Sequence, residues 1–176
     1  GRPAAEKLAE CLPVTLKLAV TALVLLLITA IPLGILAAVF KNSWLDKFLQ
    51  GFAFFSVSMP SFWLGLILLY ICGVKLKIIS VIDGTTAGIP ILAALTLDIG
   101  YFGILIRLVR ANLLEVLKKE YIRACRAKGL SGWRIILKHA MKNAILPVIT
   151  QLSTICVTLL CGSAVIESIY SIEGIG

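Results

Sequence analysis

Acidic residues are scarce in this sequence. Nine Asp and Glu stand against 17 Lys and Arg, and charged residues make up only 15% of the 176 positions. Together with a mean hydropathy of +1.03, so little charge lies outside the range of ordinary soluble domains. The composition therefore predicts an integral membrane protein, since a soluble bundle of this sequence would lack the polar residues to cover its surface.

Metal-binding and catalytic patterns are also missing. No two of the five cysteines have CxxC spacing, and His139 is the single histidine. The sequence contains no G-x-x-x-x-G-K-[ST] loop and no visible Ser/His/Asp, Cys/His or paired-carboxylate set. We therefore expect no metal site, no cofactor and no enzymatic activity in this chain. A nucleic-acid partner is disfavoured because the cations lack interleaved aromatic residues.

Four long apolar runs account for most of the sequence. Each is long enough to cross a hydrocarbon core of ~30 Å as a helix. The predicted spans are residues 18–40, 48–74, 84–106 and 143–166. The predicted fold is thus an all-α membrane protein, a multi-span helical bundle that forms one transmembrane domain over residues 1–176, with a helical loop at 107–142.

The loops on the two sides of this bundle differ in charge. Segments 41–47 and 107–142 lie on the same side and together hold 12 of the 17 Lys and Arg. The positive-inside rule therefore places the 107–142 loop in the cytoplasm. Because the chain begins with Gly1 rather than Met, we also expect it to be part of a longer protein.

Two kinds of feature inside the spans indicate packing or a pathway. Ala30, Gly34 and Ala38 recur at four-residue intervals, a spacing that lets helix backbones approach closely in lipid. In "SVSMPSFWLG", Pro60 falls mid-span, where a broken helix could line a pathway or form a packed kink. Asp98, the one acid inside a span, could contact a transported group or be satisfied by a neighbouring helix. The pathway candidates are Met59, Pro60, Trp63 and Asp98.

The 107–142 loop has internal organisation. Residues 119–128 contain no Gly or Pro and predict a short helix, and Gly129 predicts its left-handed end. Ser131 is placed to cap a second helix. The apolar face predicted for that second helix consists of Trp133, Leu137, Ala140 and Ala144. A short helix held out from the membrane could transmit force from a soluble partner, or it could be a solvated basic face.

Several motifs resemble the permease subunits of ABC importers of the peptide/nickel group. The stretch "YIRACRAKGLSGWRIILKHAMKNAILPVIT" resembles their cytoplasmic loop, and "SMPSFWLGLILLY" and "ESIYSIEGIG" resemble segments before and after it. Where the general importer loop has Glu-Ala-Ala, this chain has Arg123-Ala124-Cys125, and the loop glycine is Gly129. Lys142-Asn143 resembles the ending found in one of the two permease types of this group.

The resemblance implies a type I ABC importer permease, a protein of six spans, of which one would precede Gly1 and one would follow Gly176. It implies a homologous second permease subunit, cytoplasmic ATP-binding subunits that carry the ATPase activity, and an extracytoplasmic substrate-binding protein, assembled in the inner membrane of a prokaryote. The substrate could be a peptide, nickel or a metal–chelator complex. The alternative is a channel or secondary transporter that needs no ATPase.

By position, the resemblance places the coupling helix at about residues 119–130. Its implied role is to dock in a groove of an ATP-binding subunit and pass conformational change to the spans. The coupling residues it implies are Glu120, Tyr121, Arg123, Ala124, Arg126 and Gly129.

Overall fold

A computed structural model describes residues 4–76 and 88–175, and this part of the chain is largely helical. The helices are α1 (Ala4–Val39), α2 (Trp44–Ser58), α3 (Ser61–Leu69), α4 (Gly88–Val116), α5 (Glu120–Ala127), α6 (Gly132–Arg134), α7 (Met141–Ala144) and α8 (Leu146–Ile169). Two π-helical segments, Tyr70–Lys75 and Ile135–Ala140, continue α3 and α6. Helices α1, α4 and α8 are long and apolar enough to span a membrane, and the bent α2–α3 pair makes a fourth span if counted as one. The predicted all-α, multi-span fold is confirmed.

Helix α4 is the scaffold of the bundle, because α1, α2, α3 and α8 all pack against it. Its side chains Leu105, Ile106 and Val109 are almost completely buried, as are Leu26 of α1 and Ile155 of α8. These residues belong to one continuous apolar cluster. Dispersion contacts in such a cluster hold helices together in lipid, where the hydrophobic effect gives little drive.

Small residues allow α1 and α2 to pack closely against α4. For α1, the sequence predicted this close approach from Ala30, Gly34 and Ala38. Ala30 and Ala38 are buried, and a Cβ at Gly34 would lie 2.7 Å from the Cβ of Val109. On the α2 side, Gly103 of α4 faces the carbonyl oxygen of Ala53 so closely that a Cβ there would collide with it. Glycine is therefore required at both crossings by the close approach of the helices.

The break between α2 and α3 occurs at Pro60, where the two helix axes differ in direction by 101°. Proline lacks the backbone donor that would continue α2, and it disfavours helical geometry in the residue before it. Met59 is accordingly extended, with φ −94° and ψ 131°, and Pro60 opens α3. The broken helix inferred from the sequence is present.

The helices extend beyond some of the predicted spans. Helix α1 begins at Ala4 rather than near residue 18, and α4 continues to Val116, ten residues past the predicted end of its span at residue 106. The prediction stopped at Arg107 because a charge follows the apolar run, but residues 107–116 contain neither Gly nor Pro to end a helix. Residues 84–87 of the third predicted span lie outside the described residues.

The face predicted for the second loop helix is wrong. Trp133 and Leu137 are exposed, whereas Ala140 and Ala144 are buried together with Ile135. The cause is the π-helical segment Ile135–Ala140, since its wider turn shifts the side chains that follow relative to an α-helical repeat. Ser131 does begin this helix, as predicted, but through its carbonyl, which accepts from the backbone N–H of Ile135 at 3.0 Å.

Polar contacts close the end of the bundle that lies away from α5. The Thr15 hydroxyl donates to Oε1 of the buried Glu167 at 2.7 Å and accepts from the backbone N–H of Ile175 at 3.0 Å. The Tyr170 hydroxyl donates to the carbonyl of Gly65 at 3.2 Å and lies 2.9 Å from the hydroxyl of Thr96. These contacts tie α1, α3, α4 and α8 together with the segment after α8.

Candidate functional site

Helix α5 stands where α1, α4 and the 131–144 segment meet. It is amphipathic and has a single fully buried side chain, that of Ile122. Ile122 packs in a second apolar cluster with Ala38 at the end of α1, Leu113 and Val116 at the end of α4, and Ile135. Displacement of α5 would therefore move side chains that belong to two spans.

Apart from Ile122 and the partly buried Cys125, the side chains of α5 face outward. The predicted coupling residues Glu120, Tyr121, Arg123, Ala124 and Arg126 are all exposed on this one helix of eight residues. The structure thus brings these five predicted residues into one surface, which we call the α5 surface. Its cations carry no ion pair with any carboxylate of the described residues.

Gly129 forms the turn that ends α5. Its φ is +75°, in the left-handed region, as the sequence predicted. The backbone N–H of Gly129 donates to the carbonyl of Arg126 at 2.9 Å, and that of Leu130 donates to the carbonyl of Cys125 at 3.4 Å. This pair of bonds defines a Schellman motif, in which Leu130 and Cys125 also pack against the second apolar cluster.

A side-chain hydrogen bond links α5 to the segment that leads into α8. The Nδ2 of Asn143 donates to the Tyr121 hydroxyl at 2.8 Å, across 22 positions of sequence. Asn143 lies in α7, directly before α8. The α5 surface is therefore connected by Ile122 to α1 and α4 and by Tyr121 to the base of α8.

A groove with both polar and apolar lining runs between α2, α4 and α8. One pocket in it, of about 270 Å³, is lined by residues that include Met59, Ser61, Tyr101 and Thr158. A second pocket, of about 480 Å³, is lined by Gln50, Ile104, Arg107, Leu108, Arg110, Ala111 and Gln151. Ile104 lines both pockets, which follow one another along α4 toward the end that carries α5. We call the two pockets together the α2/α4/α8 groove.

The other pathway candidates lie outside this groove. Asp98 faces a different pocket, of about 280 Å³, which Thr29, Phe52 and Phe102 also line. On a helix, residues 97, 101, 104 and 108 share one face and residue 98 lies well off it, which explains the separation. Asp98 is 4% exposed, and neither carboxylate oxygen has a hydrogen-bond partner among the described residues. Pro60 and Trp63 are exposed at the α2–α3 corner.

Three contributors to these sites were not singled out from the sequence. Ile122 was detectable, because it is the only branched aliphatic residue within α5. Asn143 was noted only as part of the Lys142-Asn143 motif, not for a contact of its own. The Asp46–Arg110 ion pair joins residues 64 positions apart, and no local sequence pattern predicts it. In the part of the chain that the structure describes, no group of three or more His, Cys, Asp or Glu side chains could hold a metal ion.

Comparisons with known proteins identify the family. Residues 30–176 match the sequence family described as binding-protein-dependent transport system inner membrane component. The dipeptide transport system permease protein DppB of Bacillus subtilis (strain 168) is 40% identical over 164 residues, which cover 93% of this chain and 53% of that protein. The glutathione transport system permease protein GsiC of Escherichia coli (strain K12) is 34% identical over 175 residues, covering 99% of this chain and 57% of that protein. The chain thus spans a little over half the length of these relatives.

Proposed function

The chain belongs to the family of binding-protein-dependent transport system inner membrane components, and from this premise we propose that it acts in the permease subunit of an ATP-driven importer. The subunit would form half of a translocation pathway and take its energy from a separate ATPase. We propose a peptide-class solute, since the two relatives are named for dipeptide and glutathione transport.

The observation that supports this proposal is the pattern of buried and exposed side chains on α5. A helix meant only to cover the bundle would bury a wide apolar stripe, but α5 fully buries one side chain, Ile122, partly buries Cys125 and exposes the other six. The residues proposed to meet the ATPase are Glu120, Tyr121, Arg123, Ala124 and Arg126, with Gly129 setting the turn. Since Ile122 contacts residues of α1 and α4, a push on α5 by a partner would reach both spans.

The pathway is proposed to follow the α2/α4/α8 groove. Its lining includes the polar side chains Tyr101, Thr158 and Gln151 beside apolar ones, a mixture that suits a solute with both polar and apolar parts. Met59 lines this groove beside the Pro60 break, and a broken helix is a common way to expose backbone polar groups to a pathway. Asp98 and Trp63 lie outside the groove and would not contact the solute.

We also propose the partners of the subunit and its orientation in the membrane. A homologous second permease subunit would supply the other half of the pathway, ATP-binding subunits would dock on α5, and an extracytoplasmic binding protein would deliver the solute. The membrane would be the cytoplasmic membrane of a prokaryote. Segment 107–142 would face the cytoplasm, in keeping with its excess of Lys and Arg.

A charge-reversal experiment tests the ATPase-docking role. In the full-length subunit, co-expressed with its partner permease and ATPase, the double variant Arg123→Glu/Arg126→Glu should insert normally but co-purify with little ATPase and show little uptake. Arg134→Glu reverses an exposed charge on the adjacent α6 and serves as the matched control, with both properties retained. Normal uptake by the double variant, or uptake by the wild type in vesicles without any ATPase, would count against the proposal.

A further inference from the structure

Two glycines of the α2/α4/α8 groove have no packing partner. Gly100 of α4 and Gly162 of α8 both line the pocket of about 270 Å³, and a Cβ added to either would meet no atom within 4 Å. They differ in this from Gly34 and Gly103, where an added Cβ would collide with a neighbouring helix. Close packing of helices therefore explains Gly34 and Gly103, but it does not explain Gly100 and Gly162.

Glycine destabilises the interior of a helix relative to alanine, because its backbone loses more conformational freedom on folding. Gly100 and Gly162 each lie well inside a long helix, and neither has the positive φ that requires glycine at Gly129. A side chain at either position would take up space in the pocket. What glycine provides at these two positions is therefore an open pocket.

Both glycines lie on the side of their helix that faces the groove. On α8, Gln151, Thr158 and Gly162 follow one another at intervals of seven and four residues and share one face. On α4, Gly100 and Ile104 are four residues apart and share a face in the same way. The two glycines thus belong to two walls of the same pocket.

The pocket offers hydrogen-bonding groups without charge. Ser61, Tyr101 and Thr158 contribute hydroxyls from α3, α4 and α8, and none of the described side chains that line the pocket is charged. The Thr158 hydroxyl donates to the carbonyls of Thr154 and Ile155, each at 3.0 Å, whereas those of Ser61 and Tyr101 have no hydrogen-bond partner among the described residues. A hydrocarbon chain would leave these hydroxyls without partners, but a peptide supplies amide donors and acceptors.

A pocket on another side of α8 shows the contrast. It lies between α1 and α8, and its described lining consists of Leu16, Ala19, Val20, Leu23, Cys156, Leu159 and Leu160. These side chains are hydrocarbon apart from one thiol, a lining that suits a lipid chain or another apolar helix. The hydroxyl groups of the groove pocket favour a solute with polar groups as its occupant instead.

We propose that Gly100 and Gly162 are specificity-determining residues, which limit the size of the solute side chain that passes through the groove. The pocket admits uncharged peptide side chains, and the flexible thioether of Met59 adapts to their different shapes. A larger residue in place of either glycine fills space that a large solute side chain needs, and it leaves room for a small one. This inference rests on the proposed function, because the occupant is the transported solute.

The experiment uses the full-length subunit in vesicles, assembled with its partner permease and ATPase and supplied with its binding protein. Gly162→Leu and Gly100→Leu fill the pocket from two walls, and Gly162→Ala makes a smaller change. Gly51→Leu is the matched control, because Gly51 is a helical glycine with open space around its Cβ that does not line the groove. The unfolding midpoint should not fall in any variant, since leucine and alanine are favoured over glycine in a helix.

The readout is the ratio of dileucine uptake to dialanine uptake, both driven by ATP. The binding protein is the same in every assay, so a change in this ratio comes from the permease. Steric conflict between a large solute side chain and the added leucine predicts about a tenfold fall in the ratio for Gly162→Leu and Gly100→Leu. Gly162→Ala should show a smaller fall, and Gly51→Leu should keep the wild-type ratio.

Each outcome decides the question. A fall confined to the variants of Gly100 and Gly162 supports the size limit, and a ratio equal to that of Gly51→Leu refutes it. Loss of the partner permease on purification of Gly162→Leu or Gly100→Leu, at an unchanged unfolding midpoint, would also refute it, since the pocket would then be a contact surface between subunits. Uptake by the wild type without ATP would refute the proposed function instead, while the uptake ratio would still report on the size limit.

Discussion

Arg110 holds Asp46 through two parallel hydrogen bonds, from Nε to Oδ1 at 2.6 Å and from Nη2 to Oδ2 at 2.7 Å. The same carboxylate accepts from the backbone N–H of Asn42 at 2.8 Å, and the backbone N–H of Asp46 donates to the hydroxyl of Ser43, which caps α2. The turn between α1 and α2 is thus fastened to α4. The Asp46 side chain is only 4% exposed and that of Arg110 is 21% exposed.

Replacing Asp46 by Asn should destabilise the subunit. The guanidinium of Arg110 would lose its charged acceptor while remaining mostly buried, and breaking a buried pair from one side costs about 3–5 kcal/mol. Because Arg110 is partly exposed, we expect a smaller loss, about 1–3 kcal/mol. Thermal unfolding of the full-length subunit in detergent measures it as a lowered midpoint.

The double variant Asp46→Asn/Arg110→Met distinguishes the stability that the ion pair contributes from the cost of leaving one charge unpaired. Removing both charges should recover part of the stability that Asp46→Asn loses, because no unpaired charge is then left. Arg134→Met removes an exposed arginine outside the pair and should leave the midpoint unchanged. If Asp46→Asn unfolds at the wild-type temperature, the pair contributes no stability.

A glycine pair tests the α2–α4 crossing. Gly103→Ala would drive a methyl group into the carbonyl oxygen of Ala53, so we expect the helices to separate locally and the unfolding midpoint to fall. Gly51→Ala lies on α2 with open space around the added Cβ. It should be neutral or slightly stabilising, since alanine is favoured over glycine in a helix by roughly 0.5–1 kcal/mol. Equal midpoints for the two variants would contradict the close approach.

The approximate spans, helix α5 and its glycine turn could be predicted because each depends on neighbouring residues. A run of some twenty uncharged residues determines a span, and a stretch without Gly or Pro that stops at Gly129 determines α5. The Asp46–Arg110 pair could not be predicted in this way. Its two partners lie 64 positions apart, and within its own segment each reads as an ordinary loop or juxtamembrane charge.

Which face of each helix meets which neighbour was also beyond the sequence. Asp98 and Met59 both qualified as pathway candidates, yet α4 turns Asp98 toward a pocket beside Phe52 and away from the groove of Met59. The prediction that Trp133, Leu137, Ala140 and Ala144 share one face was wrong for a related reason. A single π-helical segment shifts every later side chain, and the residues of Ile135–Ala140 give no local sign of it.

Ile122 should control the attachment of α5. Ile122→Ala would remove most of its only fully buried side chain, and such truncations cost about 2–5 kcal/mol in well-packed sites. The loosened helix should then be cut faster by trypsin after Arg123, Arg126 and Lys128, while the spans stay protected.

Ile122→Val is the matched control for this test, because it removes one methylene and should cost only about 0.5–1.5 kcal/mol. Its tryptic cleavage rate should stay near that of the wild type. Equal rates for wild type and Ile122→Ala would mean that the buried side chain does not hold α5 in place.

The turn at Gly129 should determine how well ATP hydrolysis is coupled to uptake. A Cβ there would meet no atom within 4 Å, so the cost of substitution comes from the φ of +75° alone, roughly 1–2 kcal/mol for a residue other than Gly or Asn. Uptake per ATP hydrolysed, measured in vesicles with the complete transporter, should therefore be reduced least by Asn, more by Ala and most by Val at this position. Membrane insertion should be retained in all three variants. Gly132→Ala, which also meets open space but sits within a helix, should keep the wild-type ratio. A wild-type ratio for Gly129→Val would show that the left-handed turn has no part in coupling.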